Sequence, residues 1–179
     1  MIRMASKNEI AAVTQIYDEL FRYEAEHGSK TNWKRGIYPI RDTAEKACAE
    51  NSLYVLEIGD KIFGSMILNQ LQPAEYECIT WQYKANDSEV LVIHTLCILP
   101  AHSGKGYGKQ MITFAIQKAE KIQCKTVRLD TWAENKPAAS MYRGMDFRLA
   151  GSGTMNLHDM IQENQIYFEY EVKQNDKVK

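Results

Sequence analysis

Val90-Leu91-Val92-Ile93-His94-Thr95-Leu96-Cys97-Ile98-Leu99-Pro100-Ala101-His102-Ser103-Gly104-Lys105-Gly106-Tyr107-Gly108 is the stretch that decides how this chain is read. Val90 to Leu99 is nearly all apolar or β-branched, as a strand buried inside a sheet should be. Gly108 to Ile122 then carries Met111, Ile112, Ala115, Ile116 and Ala119 on one helical face. A strand that feeds a glycine-rich turn and a helix start presents several unpaired backbone N–H groups to one point. The helix dipole adds partial positive charge there, and glycines admit an anion without a Cβ in the way, so the turn suits phosphate. Lys105 adds a charge at the rim. A short glycine motif alone is equally compatible with a plain turn. The P-loop pattern G-x-x-x-x-G-K-[ST] is absent. A dinucleotide fingerprint fails as well: Asp130 stands near the expected distance, but the glycine spacing differs and Pro100 to Ser103 intervene.

Working outward, Ser6-x-x-Glu9 has the form of a capping box, and Ile10, Val13, Ile16, Tyr17 and Leu20 predict an amphipathic helix to about Ala25. Asp42-x-x-Glu45 predicts a second, shorter helix ending near Asn51. The connection Glu26 to Arg41 is longer than packing needs and reads as a functional loop. Leu53–Ile58 and Lys61–Asn69 flank Gly59-Asp60 as a hairpin. Thr126–Trp132 reads as a strand, Pro137 opens a helix to about Arg143, and Phe147–Ala150 and Gln165–Val172 read as two last strands around Gly151, Gly153 and Asn156. The order predicts an α/β (α+β mixed) sheet with helices on both faces. Residues 1–172 are read as a single domain and 173–179 as a polar, frayed tail.

The chain has 179 residues, 45% apolar and 25% charged, with formal net charge −1. That balance suits one globular domain and gives no electrostatic footprint for nucleic acid. No apolar run is long enough for a membrane span and no signal-peptide pattern is present, so a cytoplasmic protein without membrane partners is expected. Cys48, Cys78, Cys97 and Cys124 form no CxxC pair and read as free thiols, with no metal site implied. A catalytic cysteine would be Cys97 at best, and nothing nearby in the sequence singles it out.

Ser103-Gly104-Lys105-Gly106-Tyr107-Gly108 resembles the Q/R-x-x-G-x-G/A signature of the GNAT (GCN5-related) N-acetyltransferases, with Ser103 where that family has Gln or Arg. Asn135-Lys136-Pro137-Ala138-Ala139-Ser140-Met141-Tyr142-Arg143-Gly144-Met145-Asp146-Phe147 resembles the family's N-x-x-A-x-x-x-Y-x-x-x-G-F, with Asp146 in place of Gly. Asp at that turn is expected to be strained. The two blocks span Val90 to Phe147. The resemblance implies a mostly antiparallel sheet splayed between two parallel strands, Val90–Leu99 and Thr126–Trp132. It further implies that acetyl-coenzyme A is the co-substrate, with its pantetheine arm on the backbone at Leu96 and Ile98. Its pyrophosphate would lie on the N–H groups of Ser103, Gly104, Lys105, Gly106, Tyr107, Gly108 and Lys109, and Asn135 would contact the arm.

From the same resemblance Tyr142 is the acid for the departing sulfur, and a backbone N–H near Ile98 serves the oxyanion. His94 is expected on the strand face of Leu96 and Ile98 by alternation, beside the acetyl group, either as base or as a buried neutral histidine. A histidine there resembles the arylalkylamine acetyltransferase branch. His102 is expected exposed in the loop; His27 and His158 have no constellation. Trp33 and Tyr38, with Trp81 or Tyr83, are candidates for an aromatic wall attractive to a cationic acceptor, or plain loop plugging. Met111, Met141, Met145 and Met155 read as core filler. The implied reaction is acetyl transfer to a primary amine of a small molecule, by direct attack in a ternary complex. A peptide amine as acceptor and a non-catalytic coenzyme A sensor remain as alternatives. A homodimer is open, dimers being common in such folds.

Overall fold

The computed structural model describes residues 1–157 and 160–173, with the backbone alone at Leu157. His158 and the tail from residue 174 lie outside the described residues. The chain forms β1 (Ile2–Met4), α1 (Ile10–His27), α2 (Arg41–Ala49), β2 (Leu53–Ile58), β3 (Lys61–Asn69), β4 (Val90–Ile98), α3 (Tyr107–Lys121), β5 (Thr126–Trp132), α4 (Lys136–Arg143), β6 (Arg148–Leu157) and β7 (Ile161–Glu171). The strands make one seven-stranded sheet in the order β1-β2-β3-β4-β5-β7-β6. Every neighbouring pair is antiparallel except β4 and β5.

Local chemistry accounts for most boundaries. Glu9 accepts from the Ser6 backbone N–H at 2.7 Å, which completes the cap expected before α1. The α2 start differs from expectation: the Thr43 hydroxyl accepts from the Ile40 N–H, and Asp42 lies in the first turn, paired with Lys46 at 2.8 Å. Gly59 and Asp60 both adopt positive φ, 53° and 59°, the twist a two-residue hairpin requires. The last two strands are longer than the sequence suggests. Gly151 sits at a register shift and Gly153 pairs with Gln165, so glycines read as loop lie within an edge strand. Asp146 takes φ 64°, the strained turn expected there.

The sheet is covered on both faces. On one, α3 and α4 pack Met111, Ile112, Ala115, Ala139 and Tyr142 onto Leu91, Ile93, Val127, Leu129 and Phe168. On the other, α1 and α2 cover the β1–β4 half through Val13, Ile16, Tyr17, Ala44 and Ala47. The β4–β5–β7 half of that second face is closed by the irregular segment 70–89. Tyr76 and Trp81 pack there on Val90, Val92 and Tyr167. Buried Glu169 anchors the segment by accepting from the Gln82 and Tyr83 N–H groups and pairing with Arg148 at 2.5 Å. Arg128 stacks on Trp81 and donates to the Tyr83 carbonyl. Trp81 therefore belongs to the core and neither it nor Tyr83 forms the expected aromatic wall.

Candidate active site

Two faults in the sheet create the site. The parallel ladder joins Val90 to Thr126, Leu91 to Val127 and Val92 to Arg128, and stops there. Beyond it the strands part, so among the described residues one edge of β4 and the facing edge of β5 have no partner strand. The second fault is a bulge in β4. Ile67 pairs with His94 and Ser65 with Cys97, so β4 spends one extra residue against β3. Thr95, at that point, has φ 49°, unusual for a β-branched residue. The alternation expected across His94, Leu96 and Ile98 therefore breaks. Leu96 and Ile98 join Ile93 on the α3 face, whereas His94 follows Val90 and Val92 to the opposite face.

A cavity of about 630 Å³ runs through the gap and is lined from both sides of the sheet. At one end lies the glycine turn. Gly104 and Gly106 have φ of 76° and 81°, and a Cβ on either would meet only open space, so these positions need glycine for conformation. Helix geometry leaves the Tyr107, Gly108 and Lys109 N–H groups without intrahelical partners, and no side chain caps this end of α3. The turn thus fits the phosphate of a nucleotide-like co-substrate. Ser103 departs from the expected donor set, because its N–H already donates to the Pro100 carbonyl at 3.0 Å. Lys105 Nζ lies 3.3 Å from His102 Nδ1, and the His102 ring lies against Phe63, with centroids 4.1 Å apart. Gly64 allows close packing nearby: a Cβ there would come within 2.6 Å of Ile98 Cδ1. Asn135 lines the cavity, and its side chain caps α4 by accepting from the Ala138 N–H at 3.2 Å.

Tyr142 reaches the cavity from α4 and is 6% exposed. Among the described residues no group hydrogen-bonds its hydroxyl, and burial, with the Asp130 carboxylate next, raises its pKa. The phenol therefore keeps its proton at neutral pH. Asp130, on β5, faces the opposite side of the sheet from Leu129 and accepts from the Tyr76 hydroxyl at 2.7 Å. Burial pushes its carboxyl up to about 6 against the opposing pull of that hydrogen bond. In the sequence alone Asp130 stands out only as an acid near the distance of a dinucleotide fingerprint that fails. A polar residue at the carboxyl end of a strand beside a glycine turn is the signal that marks it. His94 lies 3.0 Å from Asn69, its Nε2–H donating to Oδ1, and burial drives its pKa down to about 4. It is a neutral imidazole, far weaker as a base than Asp130.

The other end of the cavity holds Trp33, Tyr38, Glu75, Glu163 and Gln165; Met141, close to Gly108, and buried Met155 line the cavity as well as packing with the core. Met111 and Met145 do pack in the core. Trp33 and Tyr38 meet edge to face with centroids 5.7 Å apart, and Tyr38 hydrogen-bonds the Thr95 hydroxyl at the bulge. The loop that carries them is held by Glu24, a buried carboxylate in α1. It accepts from the Ser29 and Thr31 hydroxyls and from the Lys30 and Thr31 N–H groups, all at 2.9–3.0 Å. Cys97 is buried against Ser65 on the α1 side, and burial raises its thiol to about 11, the opposite of an activated nucleophile.

Residues 10–147 match the family model described as Acetyltransferase (GNAT) family. The chain belongs to the GNAT acetyltransferase family. Its relatives include an uncharacterised N-acetyltransferase of Methanocaldococcus jannaschii, 24% identical over 82% of this chain and 59% of that one. A streptothricin acetyltransferase of Escherichia coli is 29% identical over 65% of this chain and 60% of its own length. The chain thus spans about 60% of the length of the curated relatives it matches. Among solved structures, a GNAT-family acetyltransferase from Streptococcus agalactiae superposes with TM-score 0.80 at 17% identity, covering 98% of this chain and 96% of that one. A Salmonella typhimurium structure solved with its cofactor acetyl-CoA gives 0.68 at 14% identity, covering 100% and 97%. These likenesses show that the GNAT fold extends over the whole sheet. Among the described residues no helix is long and apolar enough to cross a membrane, and no group of three or more His, Cys, Asp or Glu side chains is placed to hold a metal ion.

Proposed function

We propose that the protein transfers the acetyl group of acetyl-coenzyme A to a primary amine of a small molecule, by direct attack in a ternary complex. The observation that carries this is the single cavity through the splayed sheet. It joins a phosphate-suited turn on the α3 face to Asp130 on the other, with Tyr142 lining the same space. The similarity to a relative that is by name a streptothricin acetyltransferase supports a small-molecule acceptor.

The co-substrate supplies an activated acetyl thioester; the chain's residues supply the rest. The free N–H groups from Gly104 to Lys109 hold the pyrophosphate, Asn135 lies along the arm, and the unpaired backbone of β4 at Leu96 and Ile98 receives it as a strand edge would. An acceptor arrives as an ammonium and must lose one proton before its nitrogen can attack. Asp130, poised near neutrality, accepts that proton and releases it to solvent. The nitrogen bonds to the carbonyl carbon, an N–H of β4 near Ile98 stabilises the oxyanion, and the C–S bond then breaks. The sulfur takes its proton from Tyr142, and the nitrogen's second surplus proton restores the Tyr142 phenol, so the products are an amide, a thiol and the one proton released through Asp130. His94, neutral and bonded to Asn69, is the second candidate for the base, which a pH profile separates from Asp130.

Thiol release from acetyl-coenzyme A against polyamines, arylalkylamines, amino acids, aminoglycosides and short peptides tests this reading. Turnover confined to small amines is expected. Turnover only with peptides would move the acceptor to protein. Tight acetyl-coenzyme A binding with no turnover on any amine would make the protein a sensor.

A further inference from the structure

The acceptor end of the cavity carries more negative charge than one ammonium needs. Glu75, Asp130 and Glu163 all line it. Among the described residues none of the three forms an ion pair with a lysine or arginine. Glu163 is 5% exposed, and burial raises its carboxyl although Asn32 donates to its Oε2 at 2.7 Å. Lys34 is the nearby cation, but its ammonium donates to Asn32 Oδ1 at 3.2 Å and stands behind the amide.

A second, independent observation concerns the neighbouring amide. Gln165 is 4% exposed, lines the same cavity and donates through Nε2 to Glu163 Oε1. Its Oε1 is buried, and among the described residues no group donates to it. A buried acceptor without a donor keeps its desolvation cost uncompensated, and native proteins rarely leave one. Turning the amide over would set its oxygen against the carboxylate, so the orphan cannot be relieved from within. A carboxylate with a buried, undonated carbonyl oxygen beside it, on two residues that line a cavity, calls for a ligand with positive charge and several N–H donors. Trp33 and Tyr38 line the same end, and their faces favour cations as well.

We propose that the acceptor carries two cationic centres: the ammonium to be acetylated, at Asp130, and a second nitrogen cation seated on Glu163 and Gln165 Oε1. The class is a diamine, or an amine whose far end is another ammonium or a guanidinium. Asp130 pairs with Tyr167 across β5 and β7, and Glu163 stands four residues further along β7. At about 3.3 Å per residue the two carboxylates rise from backbones about 13 Å apart. A linker of several bonds is needed across that span, and adjacent amines would not reach. This inference rests on the small-amine acetyltransferase reading.

The test compares linear α,ω-diamines of increasing length with the monoamines of equal carbon number, by thiol release, with acetyl-coenzyme A binding measured separately by calorimetry. Within a window of lengths the wild-type kcat/KM is expected to favour the diamine at least tenfold. In Glu163→Gln that ratio is expected to fall to within about threefold of one. Gln165→Met keeps the side-chain volume but removes the lone oxygen, and is expected to lower the ratio severalfold. Equal kcat/KM for diamines and monoamines in the wild type would overturn the inference and leave the transferase reading standing. An equal fractional loss on both amines in Glu163→Gln would also overturn it, assigning that carboxylate to loop packing. No turnover of any amine while acetyl-coenzyme A binds would overturn both.

Discussion

Tyr142 and Asp130 line the same cavity with complementary proton states. The phenol is held protonated by burial, and the carboxyl is raised to about 6. Removing the acid should slow the chemical step without touching the phosphate turn. Tyr142→Phe is expected to lower kcat by about 10²-fold or more, with coenzyme A affinity unchanged by titration. Full turnover would return Tyr142 to the packing of α4. A base with a pKa of about 6 must be ionised to work. The kcat/KM of the wild type is therefore expected to fall below about pH 6, tenfold per unit, and to level off above it. Asp130→Asn should lose most of the rate and this limb with it, while His94→Gln should keep the limb. If the limb disappears in His94→Gln instead, the imidazole is the base.

At the level of elements, the loop after α1 and the edge strands shape the acceptor end, and here sequence and structure part company. Glu24 holds residues 29–31 through four hydrogen bonds from inside α1. Charge-assisted bonds of this kind are worth more than neutral ones. Glu24→Ala is expected to raise the acceptor KM at least severalfold while leaving the KM for acetyl-coenzyme A near that of the wild type. Equal rises in both would mean that the loop does not act on the acceptor end selectively. The order of elements along the chain and the glycine turn before α3 were legible because each rests on local periodicity or a short motif, and the parallel β4–β5 pair followed from the family resemblance. The bulge at Thr95 was not. A one-residue excess is set by pairing with β3, and an unbroken apolar run carries no sign of it, so His94 was expected on the wrong face. Glu163 was missed for a related reason. Gly151, Gly153 and Asn156 read as loop, whereas an edge strand tolerates glycine where a central one does not. Asn135 and Asp146 fall where the motif puts them, one capping α4 and the other at φ 64°.

Across the whole molecule, two of the buried titrating groups at the site, Asp130 and His94, pull stability in opposite directions. Asp130 rises from an ordinary 3.8 to about 6, so the fold binds its proton more tightly than the unfolded chain does. Its contribution is fully present below about pH 4 and is lost as pH rises through 6. His94 drops from 6.5 to about 4, so its contribution is present above 6.5 and is lost as pH falls toward 4. Between pH 4 and 6 the two slopes, each up to about 1.4 kcal/mol per pH unit, oppose one another. Asp130→Asn is expected to exceed wild-type stability at pH 7 by about 2–3 kcal/mol and to lose that advantage by pH 4. Denaturant titrations at the two pH values read this difference directly, and a pH-independent difference would place the Asp130 titration outside the folding equilibrium. The parting of β4 and β5 after Val92 and Arg128 has a topological consequence too. An open sheet ordinarily has two borders, here β1 and β6, both outside. This one has four, and the extra two face each other indoors, between α3 and α4 on one face and the segment 70–89 on the other. A slender extended molecule with amides along its length can thread between them, and the fold can therefore keep raw hydrogen-bonding edge for a guest without offering it to its neighbours.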